Sequence, residues 1–407
     1  MIIDTGFFVP LAERLAKEAE VYYFCSWENG YPKFKDYCVG MGLDGVTKVD
    51  TIGEVLQMID EIDLWIFPDC YYGSLAKWLR DEGCLVWGMA ETTWMEQDRY
   101  RLKEWMESEK MPLPEWGVST GITELKENIE DDRFIKISKF RGDMETLKNY
   151  SPEMSEQFYD ELSVKLGGGK ELMEFIDEEK VEGSEWGTDM WTVNGEYPKY
   201  GIAGVEIKDQ VYTGKVFLTS LMPKPLTYVN EKLSKVFKQE QARGFVSTEV
   251  RIDKNMNPFV IDLTLRLPNP PYQAYLTMID NLLEVMYEGA KGNLVEPKFN
   301  SKYVAIAIME SEFAENNWMP IDIPKNVKDW TMIMCSCKID GVTYALPIYG
   351  LSEIGAVVGT GETLDEAVEN CKKHAEKIKG YKLSIETLSF DEAKQTIDKG
   401  RKYGILF

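Results

Sequence analysis

Histidine is almost absent from this chain, whose 407 residues include a single one, His374. His374 lies in the predicted helix LDEAVENCKKHAEKIKG as a solvated residue, so we expect neither a Ser–His–Asp triad nor a histidine-ligated zinc site. Any chemistry must then use carboxylates, lysines, arginines, backbone groups or a metal ion. No run of eighteen apolar residues occurs, so we expect no membrane-spanning helix. The first twenty residues are amphipathic and acidic, so we expect no signal peptide and a cytoplasmic protein.

Positive charge is also scarce, since the formal net charge is −23. We expect no non-specific binding to nucleic acids or anionic membranes, because their phosphates would be repelled. A small anionic substrate stays compatible with this charge where local lysines, arginines and a divalent cation offset the field. The seven cysteines are an odd number in a long chain, which favours reduced thiols over a disulfide framework. The composition does not distinguish a monomer from a homodimer.

The chain is too long for a single hydrophobic core, and its pattern divides into units. Residues 1–92 alternate short apolar strands with amphipathic helices, which predicts βαβ units around a parallel sheet. A single helix is predicted over 93–115. A small α+β unit is predicted over 116–190, more strands and a helix over 191–300, and a C-terminal α+β unit over 301–407. The predicted fold class is a multidomain chain of mixed α/β and α+β type.

The segment 247–273 carries the clearest chemical signal. Glu249 and Asp262 lie thirteen residues apart on two predicted antiparallel strands, joined by a turn over 253–258. Thr264 and Arg266 follow Asp262 at period two, so the three side chains leave one face of the second strand. Carboxylates are hard oxygen ligands for Mg²⁺, and arginine neutralises phosphate oxygens. The segment therefore predicts a metal–polyphosphate site, although a surface ion pair would give the same pattern.

The order of the segments resembles the ATP-grasp superfamily, and within it the phosphoribosylamine–glycine ligases. The segments that carry this resemblance are EQDRYRLKEWM (96–106), FIKISKFRGD (134–143), ELMEFIDEEKVEGSEWGTD (171–189), the hairpin with RLPNPPYQ (266–273), and IGAVVGTGETLDEA (354–367). The resemblance implies a Rossmann-like pre-ATP-grasp domain over 1–92. It also implies an ATP-grasp core over 93–115 and 191–300, a hinged lid over 116–190 and a C-terminal domain over 301–407.

The resemblance further implies a role for each matching residue, with ATP and Mg²⁺, or Mn²⁺ in its place, as cofactors. The implied metal ligands are Glu249, Asp262 and Thr264, and the implied catalytic residues are Arg266, Lys136 and Arg141. Phosphate contacts are implied for Arg99, Lys136 and Lys139, with Lys103 as a second lysine on the helix of Arg99. Adenine contacts through backbone groups are implied for Met173, Glu174, Phe175 and Ile176, and ribose contacts for Glu185.

Departures from the family pattern fall mostly on the substrate side. Thr264 stands where the family has an asparagine ligand, and the glycine-rich lid loop keeps only Gly142. In RLPNPPYQ, Asn269 and Pro271 replace an aspartate and a glutamate of the family. The implied function is an ATP-dependent carboxylate–amine ligase that forms an amide through an acyl phosphate, with small-molecule acid and amine substrates of its own. The alternatives are genuine phosphoribosylamine–glycine ligation and a non-catalytic nucleotide-binding scaffold.

Overall fold

The structure is a computed structural model, and it describes residues 1–26, 30, 32–138, 146–402, 405 and 407. Strands within these ranges form four sheets. No helix in the described part of the chain combines the length and the apolar character needed to cross a membrane.

Five parallel strands form the N-terminal sheet. They are β1 (Ile2–Asp4), β2 (Val21–Cys25), β3 (Val46–Val49), β4 (Trp65–Ile66) and β5 (Val86–Trp87), in the order β3-β2-β1-β4-β5. The accompanying helices are α1 (Val9–Leu15), α2 (Ile52–Gln57) and α3 (Gly73–Asp81). The neighbours Ile2 and Ile3 point to opposite faces and are both buried, in separate core clusters. Both faces are therefore covered, as a parallel sheet requires, and the predicted βαβ pattern is confirmed.

The helix predicted over 93–115 is divided in the structure. Helix α4 (Trp94–Gln97) ends at Asp98, and α5 (Arg99–Ser108) begins there. The Asp98 side chain caps α5 by accepting a hydrogen bond from the backbone N–H of Arg101, at 3.0 Å. This N-cap chemistry competes with continuous helix at Asp98 and gives two short helices instead of one.

A second sheet lies over 116–178 and has its own core. Its antiparallel strands are β6 (Trp116–Thr120), β7 (Arg133–Ile137), β8 (Thr146–Asn149) and β9 (Glu174–Glu178), in the order β6-β9-β7-β8. Helices α6 (Ile122–Asn128) and α7 (Pro152–Leu166) cover one face. The buried core of this unit includes Leu125, Ile135 and Phe175. We call this unit the lid.

The third sheet is the largest and joins the middle of the chain to its C-terminal part. Its central strands are β10 (Ser184–Val193), β11 (Tyr200–Ile207), β12 (Val211–Leu218), β13 (Arg243–Ile252) and β14 (Pro258–Thr264). Helix α8 (Lys224–Gln239) lies between β12 and β13 in the sequence, and α9 (Tyr272–Met278) and α10 (Leu282–Lys291) follow β14. It continues through β15 (Tyr303–Glu310), β17 (Thr331–Ile333), β20 (Glu353–Gly361) and β22 (Ser384–Ile385). The order is β14-β13-β10-β11-β12-β15-β20-β17, with β22 beside β15.

The remaining elements complete the C-terminal part. Strands β16 (Met319–Asp322), β18 (Ser336–Ile339), β19 (Val342–Ala345) and β21 (Lys379–Gly380) form the fourth sheet. Helices α11 (Leu364–Ala375) and α12 (Phe390–Lys402) follow. Beyond α12, the ring of Phe407 lies 5.5 Å from that of Trp186 in β10. The C-terminal segment therefore returns to the large sheet.

Two of the predicted domain limits fall within the large sheet and not between sheets. The limit predicted at residue 190 falls inside β10, which pairs along its whole length with β13 of the large sheet. The lid therefore ends before Ser184. The limit predicted at residue 300 falls between α10 and β15, but β12 pairs directly with β15, so one sheet crosses it.

Candidate active site

The predicted hairpin of 247–264 is present in the structure. Strands β13 and β14 are antiparallel, and Glu249 lies directly opposite Asp262 in their register. The Asp253 carboxylate orders the connecting turn by accepting hydrogen bonds from the backbone N–H groups of Asn255 and Asn257, both at 2.8 Å. A β-bulge follows Glu249. Bulges of this kind re-aim side chains near functional sites, and here one adjoins a carboxylate pair.

The predicted period-two face of β14 borders a cleft of about 1010 Å³. Asp262, Thr264 and Arg266 all line this cleft, whereas the alternate residues Leu263 and Leu265 are buried in the core. The alternation places polar atoms in the cleft and apolar side chains behind it.

Arg266 is held by a buried carboxylate that the sequence reasoning did not assign to it. Its Nε donates to Glu96 of α4 at 2.8 Å, and the other oxygen of Glu96 accepts from the backbone N–H of Leu265 at 2.6 Å. Glu96 is 1 % exposed. Because α4 ends at Asp98, Glu96 lies in the last turn of a separate short helix, from which its carboxylate reaches the hairpin.

The carboxylates of the cleft floor repel one another. Burial raises the pKa of Glu249 to about 7, and the negative charges of Asp262 and Glu185 add to this. The pKa of Glu206 on β11 is raised well above its ordinary value, by burial and then by Glu249. Two carboxylates that face each other without enough positive charge form a donor set that fits a hard divalent cation.

The segment 201–209 lies in β11 and the turn that follows it. It contributes Gly204, Glu206, Lys208 and Asp209 to the cleft lining. Burial lowers the pKa of Lys208, but Glu249, Asp209 and Glu206 outweigh this effect and leave the pKa above its ordinary value. The only sequence signal for these residues was their polar alternation in GVEIKD.

A buried cluster of basic residues lies where the lid meets α5 and β14. Lys103 and Lys136 both form ion pairs with Glu178, the last residue of β9, with Lys136 Nζ at 3.0 Å from the carboxylate. Lys136 also donates to the carbonyl oxygen of Ile261, at 2.6 Å. Each of the three side chains is no more than 7 % exposed, so none is an ordinary surface charge. We call this set the Glu178 cluster.

The charges of the Glu178 cluster are tightly coupled. Burial alone would raise the pKa of Glu178, but Lys136 and Lys103 outweigh it and lower the pKa to about 2. Burial lowers the pKa of Lys103, and the neighbouring Lys136 adds to this although Glu178 opposes it. Arg99 extends the cluster: its Nη2 lies 4.0 Å from Asp262 Oδ1, and its Nη1 donates to the carbonyl oxygen of Ile137 at 2.8 Å. The sequence reasoning named both lysines and Arg99 but missed Glu178.

A second, small cavity of about 10 Å³ lies within this cluster. Its lining includes Lys136, Glu178, Ile176 and Asp262, and Asp262 also lines the large cleft. Asp262 therefore stands where the lid interface and the cleft meet.

The residues predicted to contact adenine, Met173–Ile176, lie at the start of β9, and this role stays a prediction. This strand lies between β6 and β7, so the backbone groups of Glu174, Phe175 and Ile176 serve the lid sheet. The carbonyl oxygen of Met173 accepts from Gly121 at 2.8 Å. Residues 179–183 connect β9 to β10. In this connection the N–H of Glu179 donates to the carbonyl oxygen of Glu115 at 2.8 Å, and the carbonyl oxygen of Val181 accepts from Arg251 at 3.2 Å.

The remaining predicted site residues are Glu185, Lys139 and Arg141. Glu185 lines the cleft but is bound by Arg251, whose Nε lies 3.1 Å from its carboxylate. Lys139 and Arg141 lie outside the described residues. The site roles predicted from the sequence for all these residues therefore stay predictions.

Comparison with known proteins identifies the architecture: the chain has the ATP-grasp fold. The phosphoribosylamine–glycine ligase of Thermotoga maritima matches at a TM-score of 0.70 and 16 % identity, over 95 % of this chain and 98 % of that one. The biotin carboxylase domain of the Hydrogenobacter thermophilus 2-oxoglutarate carboxylase, in complex with MgADP and bicarbonate, matches at 0.70 and 12 %, over 100 % and 98 %. The L-amino acid ligase of Bacillus licheniformis matches at 0.65 and 15 %, over 93 % and 97 %.

Sequence comparison adds nothing to this likeness, because no family model and no curated protein sequence matches the chain. At these identities the structural matches establish the fold alone. The predicted ATP-grasp fold class is confirmed.

Proposed function

We propose that this protein is an ATP-dependent ligase that joins a carboxylate to an amine. The observation that carries the proposal is the pair Glu249 and Asp262, opposed across a hairpin at the junction of a large cleft and a buried basic cluster. Two of the similar proteins are named as ligases, a phosphoribosylamine–glycine ligase and an L-amino acid ligase, and a third is described with bound MgADP. These names support the proposal, since the fold alone does not determine a function.

The proposed nucleotide site uses the basic residues at the lid interface. Lys136, Lys103 and Arg99 would neutralise ATP phosphates, because their three positive charges exceed the charge of Glu178 and Asp262. Glu249 and Asp262 would hold Mg²⁺, or Mn²⁺, with Thr264 beside them as a weaker oxygen ligand. A bound cation of this kind supplies charge neutralisation at the phosphates. Lys139 keeps its predicted phosphate role here, Arg141 its predicted catalytic role and Glu185 its predicted ribose role.

The proposed reaction needs no protein nucleophile. A carboxylate oxygen of the acid attacks the γ-phosphorus of ATP, ADP leaves, and an acyl phosphate forms. The amine nitrogen then attacks the acyl carbon, the C–N bond forms, and the C–O bond to the phosphoryl group breaks. Phosphate departs with the bonding electrons and takes up the proton lost by the amine. Arg266, fixed by Glu96, would orient the anionic groups, so the protein contributes positioning and charge.

The test is ADP release from ATP and Mg²⁺ with panels of carboxylic acids and amines. We expect Asp262→Asn to lower the rate at least roughly a hundredfold, as removal of a major electrostatic contact does. The matched control is Asp322→Asn, which changes the charge equally at an exposed position of β16. Undiminished activity in Asp262→Asn would refute the site. Rescue of a purine auxotroph would instead favour phosphoribosylamine–glycine ligation.

A non-catalytic nucleotide-binding protein is the second candidate. Thr264, which stands where the family has an asparagine ligand, favours it, because a weaker oxygen ligand would hold a catalytic cation less tightly. Nucleotide binding without ADP release for any acid and amine pair would support this candidate.

A further inference from the structure

One part of the large cleft has an apolar lining, and it begins shortly after Arg266 in the sequence. Three segments of the chain contribute to it: the proline-rich segment after β14, the loop after β1, and the C-terminal residues that follow β17 and precede β20. We call this lining the apolar wall. Its residues are Phe7, Pro270, Pro271, Met334, Ile348 and Leu351.

Contacts between the three segments bring the apolar wall together. Nδ2 of Asn269, in the proline-rich segment, lies 3.7 Å from Sδ of Met334. The N–H of Cys335 donates to the carbonyl oxygen of Gly6 at 2.8 Å, which holds the loop after β1 beside Met334. Met334 belongs to the largest hydrophobic core cluster, and three other members of the wall pack against the same cluster, namely Phe7, Ile348 and Leu351. The segments therefore meet at one place in the cleft.

The apolar wall offers few groups that could bind an anion. The segment 268–271 contains three prolines, which have no backbone N–H. Nδ2 of Asn269, between these prolines, already donates to Glu353 at 3.0 Å. Among the described residues that line the cleft, the cations are Lys208 and Arg266, and neither belongs to the wall. A phosphate placed against the wall would therefore lose water without gaining equivalent partners.

Backbone amides at the neighbouring edge of the N-terminal sheet are occupied as well. The carboxyl edge of a parallel sheet is a usual place for a ligand. Here the Asp4 carboxylate accepts from the N–H groups of Thr5 (2.7 Å) and Phe8 (3.0 Å). The Asp69 carboxylate accepts from the N–H of Cys70 (2.6 Å) and from the Thr5 hydroxyl. These carboxylates have donors within the protein, and they use amides that a substrate phosphate would need.

We propose that the apolar wall binds the hydrocarbon part of a substrate, so that this protein acts on an apolar acid or amine, such as an amino acid with a branched side chain, and not on a sugar phosphate. The proposal rests on the proposed ligase function, which places the reacting groups at the hairpin. Contact with the wall removes hydrocarbon from water, whereas an anionic group there would stay unpaired. The segment 268–271 is also where the sequence departs from the phosphoribosylamine–glycine ligases.

The test is calorimetric binding of amino acids to the full protein with Mg²⁺ and a non-hydrolysable ATP analogue. An amino acid carries both a carboxylate and an amine, so it can occupy either substrate position. The probes are L-leucine, glycine and O-phospho-L-serine, which differ in their side chains. We expect L-leucine to bind at least roughly tenfold more tightly than glycine, because its side chain leaves water, and O-phospho-L-serine to bind no more tightly than glycine.

Two separate variants test the wall itself. Ile348→Ser and Leu351→Ser should each reduce the preference for L-leucine over glycine at least roughly threefold. Both positions are half-buried, and the second variant keeps the test decisive where the first fails to fold. The matched control is Leu221→Ser, which removes a leucine that is 72 % exposed and lies outside the cleft lining. It should leave the preference unchanged.

Three results would overturn the proposal: L-leucine that binds no more tightly than glycine, O-phospho-L-serine that binds more tightly than L-leucine, or a preference for L-leucine that survives in both wall variants. In each case nucleotide binding would leave the proposed function standing. A wild-type protein that does not bind the nucleotide analogue would overturn the proposed function and this proposal with it.

Discussion

Replacing Glu249 with glutamine should stabilise the metal-free protein at high pH while it removes the proposed activity. Burial and the neighbouring Asp262 raise the pKa of Glu249 to about 7, against 4.5 for an ordinary glutamate. Each unit of difference between the folded and unfolded pKa values lowers the free energy of unfolding of the protein with ionised Glu249 by about 1.4 kcal/mol. The full difference corresponds to roughly 3 kcal/mol, and partial exposure to the cleft reduces it to about 1–3 kcal/mol.

The sign of this effect sets the pH window. The folded protein holds the Glu249 proton more tightly than the unfolded chain, so stability falls as pH rises from 4.5 to 7, and the cost is complete above 7. In EDTA, the unfolding temperature of Glu249→Gln should therefore exceed that of wild type by roughly 1–4 °C at pH 8. The difference should vanish near pH 4.5.

Thermal unfolding at both pH values, followed by circular dichroism, measures this difference. Asp322→Asn is the control and should show no pH-dependent gain, since its carboxylate is exposed. The reasoning is refuted if Glu249→Gln changes the unfolding temperature equally at both pH values, or if it is less stable than wild type at pH 8. Retained ADP release in this variant would refute the metal role of Glu249.

Two further predictions concern the Glu178 cluster. Lys136→Met should weaken binding of an ATP analogue roughly tenfold to a hundredfold in a fluorescence titration with little loss of stability, because Lys103 still neutralises Glu178. Glu178→Gln should destabilise the lid by about 3–5 kcal/mol, since two buried lysines lose their counter-charge, and hydrogen exchange of β7 and β9 measures this. Unchanged exchange in Glu178→Gln, or unchanged nucleotide affinity in Lys136→Met, would contradict these roles.

The hairpin was predictable because the residues that determine it lie close together in the sequence. Turn-forming residues at 253–258, two flanking strands and a period-two polar face determine which residues lie opposite each other. The register of Glu249 with Asp262 follows from these features without any knowledge of the rest of the fold. The βαβ pattern of the first unit was local in the same sense.

Glu178 could not be singled out in the same way. It lies in a stretch that also contains Glu174, Asp177, Glu179 and Glu182, and nothing in the sequence distinguishes these carboxylates. Only the meeting of β7, β9 and α5 brings it between Lys103 and Lys136. The end of the lid was not predictable either. The five-residue connection between β9 and β10 (179–183) lies in the same acidic stretch and has no strong linker signal.

The lid interface and the large cleft differ in charge, and the hairpin lies between them. At the lid interface three cations face Glu178 and Asp262, so an anionic nucleotide is favoured there. Among the described residues that line the large cleft, carboxylates outnumber cations. Asp262 borders both cavities, so a metal ion held at the hairpin in the proposed reaction would stand between a nucleotide on the lid side and the substrates on the cleft side.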